Sequence, residues 1–560
     1  LSWEKVSYRL DSHPLWLGIL IIISAVLLGS ALFLQPSALE FPMDDTYIHF
    51  VYAENLIKQN KMFFNSPDEA GIGSTSLGWV LLLAGGYKLG LSMHVLAKLL
   101  GIIFLILVGV CLYLLLRSSW NPFPALACTL LVVVSGNMLW FALSGMETMM
   151  FLGLGLTSLL LYRGEKWLWL GLVLGLLVIT RIEGLALIAA IIFVDIWYRR
   201  GISRGLLITA LFAALICGSW IVYIYQRTGI IIPTSGAGKI FALRLATKLV
   251  VERNQVFAFL GKYPSVLYPF IWAVYMFEFV LGGMAFPPPR IPAGKLLGNP
   301  DYTFSAWALI GLVGIVIPLV LAFIKEVGKS ELRKDWLIQV NGRPMLIFGL
   351  WVILHNLAYM VFLPIPGTAS RYGAINHIVL WIILGVGVFS FVHRTRLWIW
   401  FAGSLVVIAI INTVYWQGVY QANLEHMLNV RMRAAHYIAT SRETGGLCAA
   451  FDIGALRYYS KRRIIDLGGL VNPDLVNIYL NGELDNYLLS KKVTCLAMPG
   501  RMGISSDGWF DFIDILDLSS SPFFEIQQIG SYAIDRKTWL KGYLPTGNYQ
   551  ATVTLYRIIY

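Results

Sequence analysis

Two adjacent carboxylates, Asp44 and Asp45, stand in the segment FPMDDTYIHFVYAENLIKQNKMFFNSPDE at residues 41–69. They follow Pro42 and open a stretch in which Ile48, Val51, Tyr52, Asn55 and Leu56 recur at helical spacing. Both acids therefore fall at a helix N-terminus, where the helix dipole favours negative charge. An aspartate there is ordinarily an N-cap. Capping accounts for one of the pair and leaves the other over. A carboxylate so placed can take a proton from an attacking hydroxyl or help to hold a divalent cation. His49, one turn after Asp45, reads as an interfacial or packing histidine before it reads as a ligand.

Other charged groups interrupt apolar runs. SGMET carries Glu147, TRIEG carries Arg181 and Glu183, and GTASRYG carries Arg371 and Tyr372. Lys239 and Arg244 lie in a long polar-flanked stretch. Charges at membrane depth face a cavity or one another. The bland reading is an ion pair, Arg181 with Glu183 or with Glu147. The functional one is that an arginine meets a phosphate in a bidentate fork. A metal ion, if one is used, would fall to Asp44, Asp45 and Glu147.

The elements that must position these groups are membrane spans. The 560 residues are 58% hydrophobic and only 13% charged, against roughly 25% charged in soluble domains. A span takes about 20 apolar residues, and the candidates are 16–34, 95–116, 123–141, 146–162, 166–180, 182–198, 205–225, 303–324, 344–363, 373–392 and 397–416. The first has no small-residue cleavage site after it, so a retained span rather than a removed signal peptide is expected. Arg199, Arg200 and Arg204 share one connection; His393, Arg394 and Arg396 share another; the basic segment 325–343 is a third. The positive-inside rule puts all three in the cytoplasm. The N-terminus is then cytoplasmic, the net acidic segment 35–94 is a first outer loop, and 226–302 is a long outer loop. The apolar stretches 76–90 and 266–286 would each invert this pattern as a lone crossing, and are expected as helices at or re-entering the outer surface. The formal charge of +12 follows from the basic loops, and nucleic acid is not an expected partner.

The expected fold is an α-helical polytopic membrane protein, residues 1–420, with a C-terminal extracytoplasmic α/β domain at 421–560. In the latter, LCAAFD (447–452), RRIIDL (462–467) and VTCLAM (493–498) read as buried strands, separated by helical IGALRYYS and NPDLVNIYL. Asp452 and Asp466 end strands and read as caps before they read as ligand-facing groups. Of five cysteines, Cys111, Cys128 and Cys217 lie in apolar runs; Cys448 and Cys495 can pair, although each also looks like a buried strand residue. No repeat of solenoid length and no pair of inverted halves is visible.

DDTYIHFVYAENL followed by FFNSPDEAGIGSTSLGWVLLLAGGYKLG resembles the first outer loop of the C-type (GT-C) membrane glycosyltransferases, nearest their bacterial arabinofuranosyltransferase-like and mannosyltransferase-like members. SGMETMMF and LVITRIEGLAL resemble later membrane motifs of that group, and DIGALRYYSKRRIIDLGGLVNPDL the start of its extracytoplasmic domain. The resemblance runs in patches over 16–200 and 450–475, with TASRYG between. It implies a donor sugar on a polyprenyl phosphate, delivered at the outer face of a plasma membrane (a bacterial inner membrane), and inverting transfer with metal optional. The acceptor is a glycan, lipid or protein, and a monomer is expected. By position Asp44 matches the catalytic acid and Asp45 its acidic neighbour. Glu147 matches a second acid, with Glu183 and His49 near it on the acceptor side. Arg371, with Tyr372, Arg181 and Lys239, falls where the donor phosphate would be met. The alternatives are a polytopic transporter or lipid flippase, which would carry acids near mid-span, and a catalytically silent binding protein.

Overall fold

The computed structural model describes residues 14–34, 39–67, 72–118, 120–229, 342–392 and 398–560, less 473, 503–508, 517 and 547–550, with short pieces at 231, 236, 264–276, 280, 290–292 and 303–305.

Local chemistry sets the helix ends. Pro14 precedes the helix Leu15–Phe33, and Pro122 takes the first position of Pro122–Val133, where its missing N–H costs nothing. Ser203 caps Arg204–Thr228 by accepting from the Leu206 amide at 3.0 Å, and Gly229, at φ 71°, ends it. Among the described residues five helices are long and apolar enough to cross a membrane: Leu15–Phe33, Met93–Arg117, Arg204–Thr228, Arg343–Phe362 and Gly403–Thr440. A bent pair makes six if it counts as one broken span. Thr148–Arg163, Trp167–Thr180, Gly184–Arg199 and Ala374–Val392 are further apolar helices at expected runs. The run 303–324 lies outside the described residues beyond Ser305. Leu28, Trp197, Leu207 and Val361 are exposed on the outside of the bundle, as a lipid-facing surface requires, while Trp79, Trp140, Trp351, Trp381 and Trp416 are fully buried inside it.

Two expected spans have different shapes. The run 123–141 is not one rod but Pro122–Val133 and Gly136–Leu143, bent by 56°. At the break the Gly136 amide donates to Asn412 Oδ1 at 2.7 Å, and a Cβ on Gly136 would stand 2.4 Å from that of Trp416, so the neighbouring helix grips the bend. The run 397–416 is the first part of a helix, Trp398–His426, that continues through a π-helical turn, Met427–Met432, into Arg433–Thr440. One continuous rod thus links the apolar bundle to the α/β domain. Of the two stretches expected to lie at the surface, 76–90 forms the helix Leu77–Lys88, packed on Asp45–Gln59 of the first loop, and 266–286 forms Pro264–Met276 within its described part.

The α/β domain has a sheet in the order 464–466, 447–450, 493–502, 552–559, 525–533, with 509–511 beside 493–502. The first three strands are parallel and are those expected; the last two are antiparallel additions. Cys448 and Cys495 face each other on adjacent parallel strands and form a disulfide, Cα–Cα 4.5 Å. Helix Gly454–Ser460 follows the strand Leu447–Ala450 and packs on Asp45–Gln59.

Candidate active site

The first loop is fastened to the bundle through the SGMET turn. Thr46 Oγ1 donates to Ser144 O at 2.7 Å, and Trp79 Nε1 donates to Gly145 O at 3.0 Å. Glu147, next after that turn, then faces His49, whose Nε2 is 3.6 Å from Glu147 Oε2; His49 Nδ1 is 3.2 Å from Ser74 Oγ. Arg181, at the end of Trp167–Thr180, reaches Glu147 at 3.2 Å and Glu183 at 2.9 Å, so both pairs weighed from the sequence are present at once. It also donates to Tyr359 Oη at 2.9 Å, and Tyr359 in turn donates to Glu183.

Tyr359 stacks on Trp272 with ring centroids 4.6 Å apart and on Tyr372 at 5.7 Å. The guanidinium of Arg181 lies 4.6 Å from the Tyr372 ring centre, and that of Arg371 lies 5.0 Å from it. Arg371 pairs with Asp45. The turn presenting Arg371 and Tyr372 carries left-handed backbone at three positions, Gly367 (φ 66°), Ala369 (φ 58°) and Ser370 (φ 60°). Two of those are not glycine, and backbone strain of this kind gathers at sites whose geometry is over-determined by their surroundings. The turn is tied down by Tyr372 N donating to Pro366 O at 3.0 Å and by His355 Nε2, 2.8 Å from Tyr372 O.

Asp45, His49, Glu147, Arg181, Glu183, Arg371 and Tyr372 are thus gathered into one polar chain, buried except at its Asp45 end. Lys239 lies outside the described residues. Asp44 is adjacent but faces away. It occupies the N-cap position of Asp45–Gln59 yet makes no side-chain cap bond there. Its Oδ2 accepts from the Gly454 amide at 2.7 Å and its Oδ1 from the Ala455 amide at 2.8 Å, while Arg431 stands 3.2 Å from Oδ1. The cap expected on Asp45–Gln59 is therefore not made by Asp44, which instead accepts from the first two amides of Gly454–Ser460 in the other domain. Burial pushes the Asp44 carboxyl up to about 6, against the pull of Arg431. That value suits a proton acceptor near neutral pH; the donors already on both oxygens do not. The two aspartates differ in access, with the side chain of Asp45 37% exposed and that of Asp44 10%.

Asp44, Asp45 and Glu147 do not converge on a point, and among the described residues no three His, Cys, Asp or Glu side chains are grouped as metal ligands. Asp466 accepts from the amides of Gly468 and Val471 and so caps the turn after its strand, as read from the sequence, whereas Asp452 pairs with Arg431 of the rod at 2.8 Å. Tyr359 and Arg431 were not legible as site residues. A hydroxyl inside an apolar run needs a partner, which is the signal Tyr359 carries; Arg431 sits in a charged segment that reads as a solvated face.

A family described as a domain of unknown function (DUF8728) matches residues 417–556. No curated protein matches the chain by sequence. Among solved structures, the Archaeoglobus fulgidus oligosaccharyltransferase in the apo form aligns with 96% of this chain and 81% of its own at 12% identity and TM-score 0.53. The same enzyme tethered with an acceptor peptide containing the NVT sequon aligns over 86% and 69%, at 12% identity and TM-score 0.51. ArnT from Cupriavidus metallidurans in the apo state aligns over 96% and 97%, at 13% identity and TM-score 0.48. The chain thus shares its fold with the Archaeoglobus fulgidus oligosaccharyltransferase.

Proposed function

We propose that this protein transfers a sugar from a polyprenyl-phosphate donor to a hydroxyl or amide of a glycan, lipid or protein acceptor at the outer membrane face, with inversion. The observation that carries the reading is the pairing of Asp45 with Arg371 beside Tyr372 and Arg181. An acid and two guanidiniums share one site, which is what a base-assisted attack on a phosphate-linked sugar requires.

Asp45 neutralises Arg371. A donor phosphate competes for the same guanidinium and binds it bidentately. Asp45, released from the pair, takes the proton of the acceptor as its oxygen or nitrogen attacks the anomeric carbon from the side opposite the phosphate. The bond from that carbon to the phosphate oxygen breaks, and polyprenyl phosphate departs with the electron pair. Arg371 and Arg181 stabilise the charge that develops on it. Exposure favours Asp45 over Asp44 as the acceptor of the proton. The disulfide in the C-terminal domain supports an extracytoplasmic position for that domain, since cystines persist in oxidising compartments.

Mass spectrometry of lipids that copurify with the protein tests the donor class. A polyprenyl phosphate bearing a pentose or hexose is expected, and its labelled form should yield free polyprenyl phosphate when acceptor extract is added. Vectorial movement of the intact lipid with no release of polyprenyl phosphate would instead identify a flippase.

A further inference from the structure

We infer that Asp44 is a positioning residue that locks the C-terminal domain onto the first loop, and that this domain is thereby a working wall of the active site. Asp44 and Asp45 are neighbours whose side chains serve different bodies. Asp45 meets Arg371 of the bundle, whereas both oxygens of Asp44 are held by the amides of Gly454 and Ala455. Arg431 bridges Asp44 and Asp452, at 3.2 and 2.8 Å, from the π-helical turn within the long rod out of the bundle. One carboxylate therefore ties together the first loop, the rod and the α/β domain.

The approach is close enough to dictate a residue type. A Cβ on Gly454 would stand 2.1 Å from Asp44 O and 2.8 Å from Oδ2, so only glycine admits it. Further contacts run parallel to this one. Asn65 donates to Ile464 O at 2.9 Å and accepts from Ile464 N at 3.1 Å, satisfying the edge strand Ile464–Asp466 as a further strand would. Lys461 meets Glu54 at 3.0 Å, Tyr459 donates to Glu40, and Tyr458 packs against Tyr47 and Phe50 with centroids 5.5 and 5.6 Å apart. An acid that served only as a local cap would need none of these. The consequence for the reaction is geometric: Asp45 is fixed by the residue before it, and a displacement of about 1 Å at a reacting group can lower turnover on the order of 100-fold.

The test uses the full chain in nanodiscs, with hydrogen exchange of peptides spanning 446–472 read for Asp44→Ala, Asp44→Asn and Asp45→Asn. Asp44→Ala should raise exchange across 453–471 by about tenfold or more. Asp44→Asn, which keeps one acceptor oxygen, should fall between, and Asp45→Asn should match the parent. Gly454→Ala, approaching the same contact from the other domain, should reproduce the loosening and serves if Asp44→Ala does not accumulate. Unchanged exchange in both would overturn the inference. Transfer assays add a second readout, which rests on the function proposed above: residual activity of Asp44→Ala should keep the acidic limb of the pH profile. Loss of that limb makes Asp44 the base and also overturns the positioning role. Full transfer by Asp45→Asn sinks the proposed base while leaving the exchange result, and the clamp, intact.

Discussion

Arg371 donates to Asp45 across 326 residues of chain, joining the first loop to the turn that opens the helix Ala374–Val392. Each is therefore the partner that a donor phosphate or an acceptor proton must displace from the other. Asp45→Asn should lower transfer by about 10²–10⁴-fold with donor binding retained or improved, because Arg371 is then unopposed. Arg371→Lys keeps the charge and loses the fork, and should weaken donor binding more than it slows the bound complex. Release of polyprenyl phosphate, against donor retained on the purified protein, separates the two.

Arg181 is buried between Glu147 and Glu183. Removing it takes the shared guanidinium from two largely buried carboxylates. Arg181→Met should cost roughly 3–5 kcal/mol, seen as a lowered melting temperature in detergent. Adding Glu147→Gln should recover part of that loss, since one of the two buried charges is gone. Strict additivity of the two changes would show that the pair does not share an energetic unit.

The turn Thr368–Gly373 holds Ala369 and Ser370 at φ 58° and 60°, a region that β-branched side chains avoid. Ala369→Val should destabilise the fold by roughly 1–3 kcal/mol, and more than the same change in a nearby helix. Ser370→Gly relieves the backbone and should leave stability near the parent while lowering transfer, because Arg371 is held less firmly. A valine variant that melts with the parent would remove strain from the account.

Much of this site was legible because charge inside an apolar run is self-announcing. Glu147, Arg181, Glu183 and Arg371 each interrupt a hydrophobic stretch, and the structure brings them together with Asp45, His49 and Tyr372. The strands 447–450, 464–466 and 493–502 were legible for a related reason, as short apolar runs between charged turns. What was not legible is who meets whom across the two domains. The Asp44–Gly454 and Asn65–Ile464 contacts span 410 and 399 residues, and nothing local in DDTY or NSPD encodes them. The bend at Ser135–Gly136 was hidden likewise, since its cause is Asn412 on another helix.

The docking of the C-terminal domain should depend on pH through Glu40. Burial alone would raise its carboxyl, but hydrogen bonds with His94, Tyr459 and Tyr47 outweigh burial and hold it below the ordinary value of 4.5. Glu54 is lowered in the same way by Lys58 and Lys461. A carboxyl whose value is depressed on folding contributes stability that is present above its unfolded value and lost as pH falls through the folded one. Docking should therefore be firm at neutral pH and loosen below 4.5. Limited proteolysis across that range follows it, and Glu40→Gln should flatten part of the dependence. Loosening on the alkaline side instead would contradict the assignment.

The cystine Cys448–Cys495 offers a test of both stability and orientation. It closes a separation of 47 residues within the sheet, and its loss should destabilise the C-terminal domain by about 2–4 kcal/mol. Serine at both positions should therefore lower the unfolding temperature of this domain more than that of the bundle. The same bond forms where the surroundings are oxidising. Cys448 and Cys495 are buried, so in whole cells held in urea to open the sheet they should resist thiol reagents until an impermeant reductant is added, because a domain on the outer side is then open to it. If only a permeant reductant exposes them, the domain faces the cytoplasm. Asp45 would then be presented to the wrong leaflet for a donor delivered outside, since the rod Gly403–Thr440 and the Asp44 contact hold the first loop and this domain on one side.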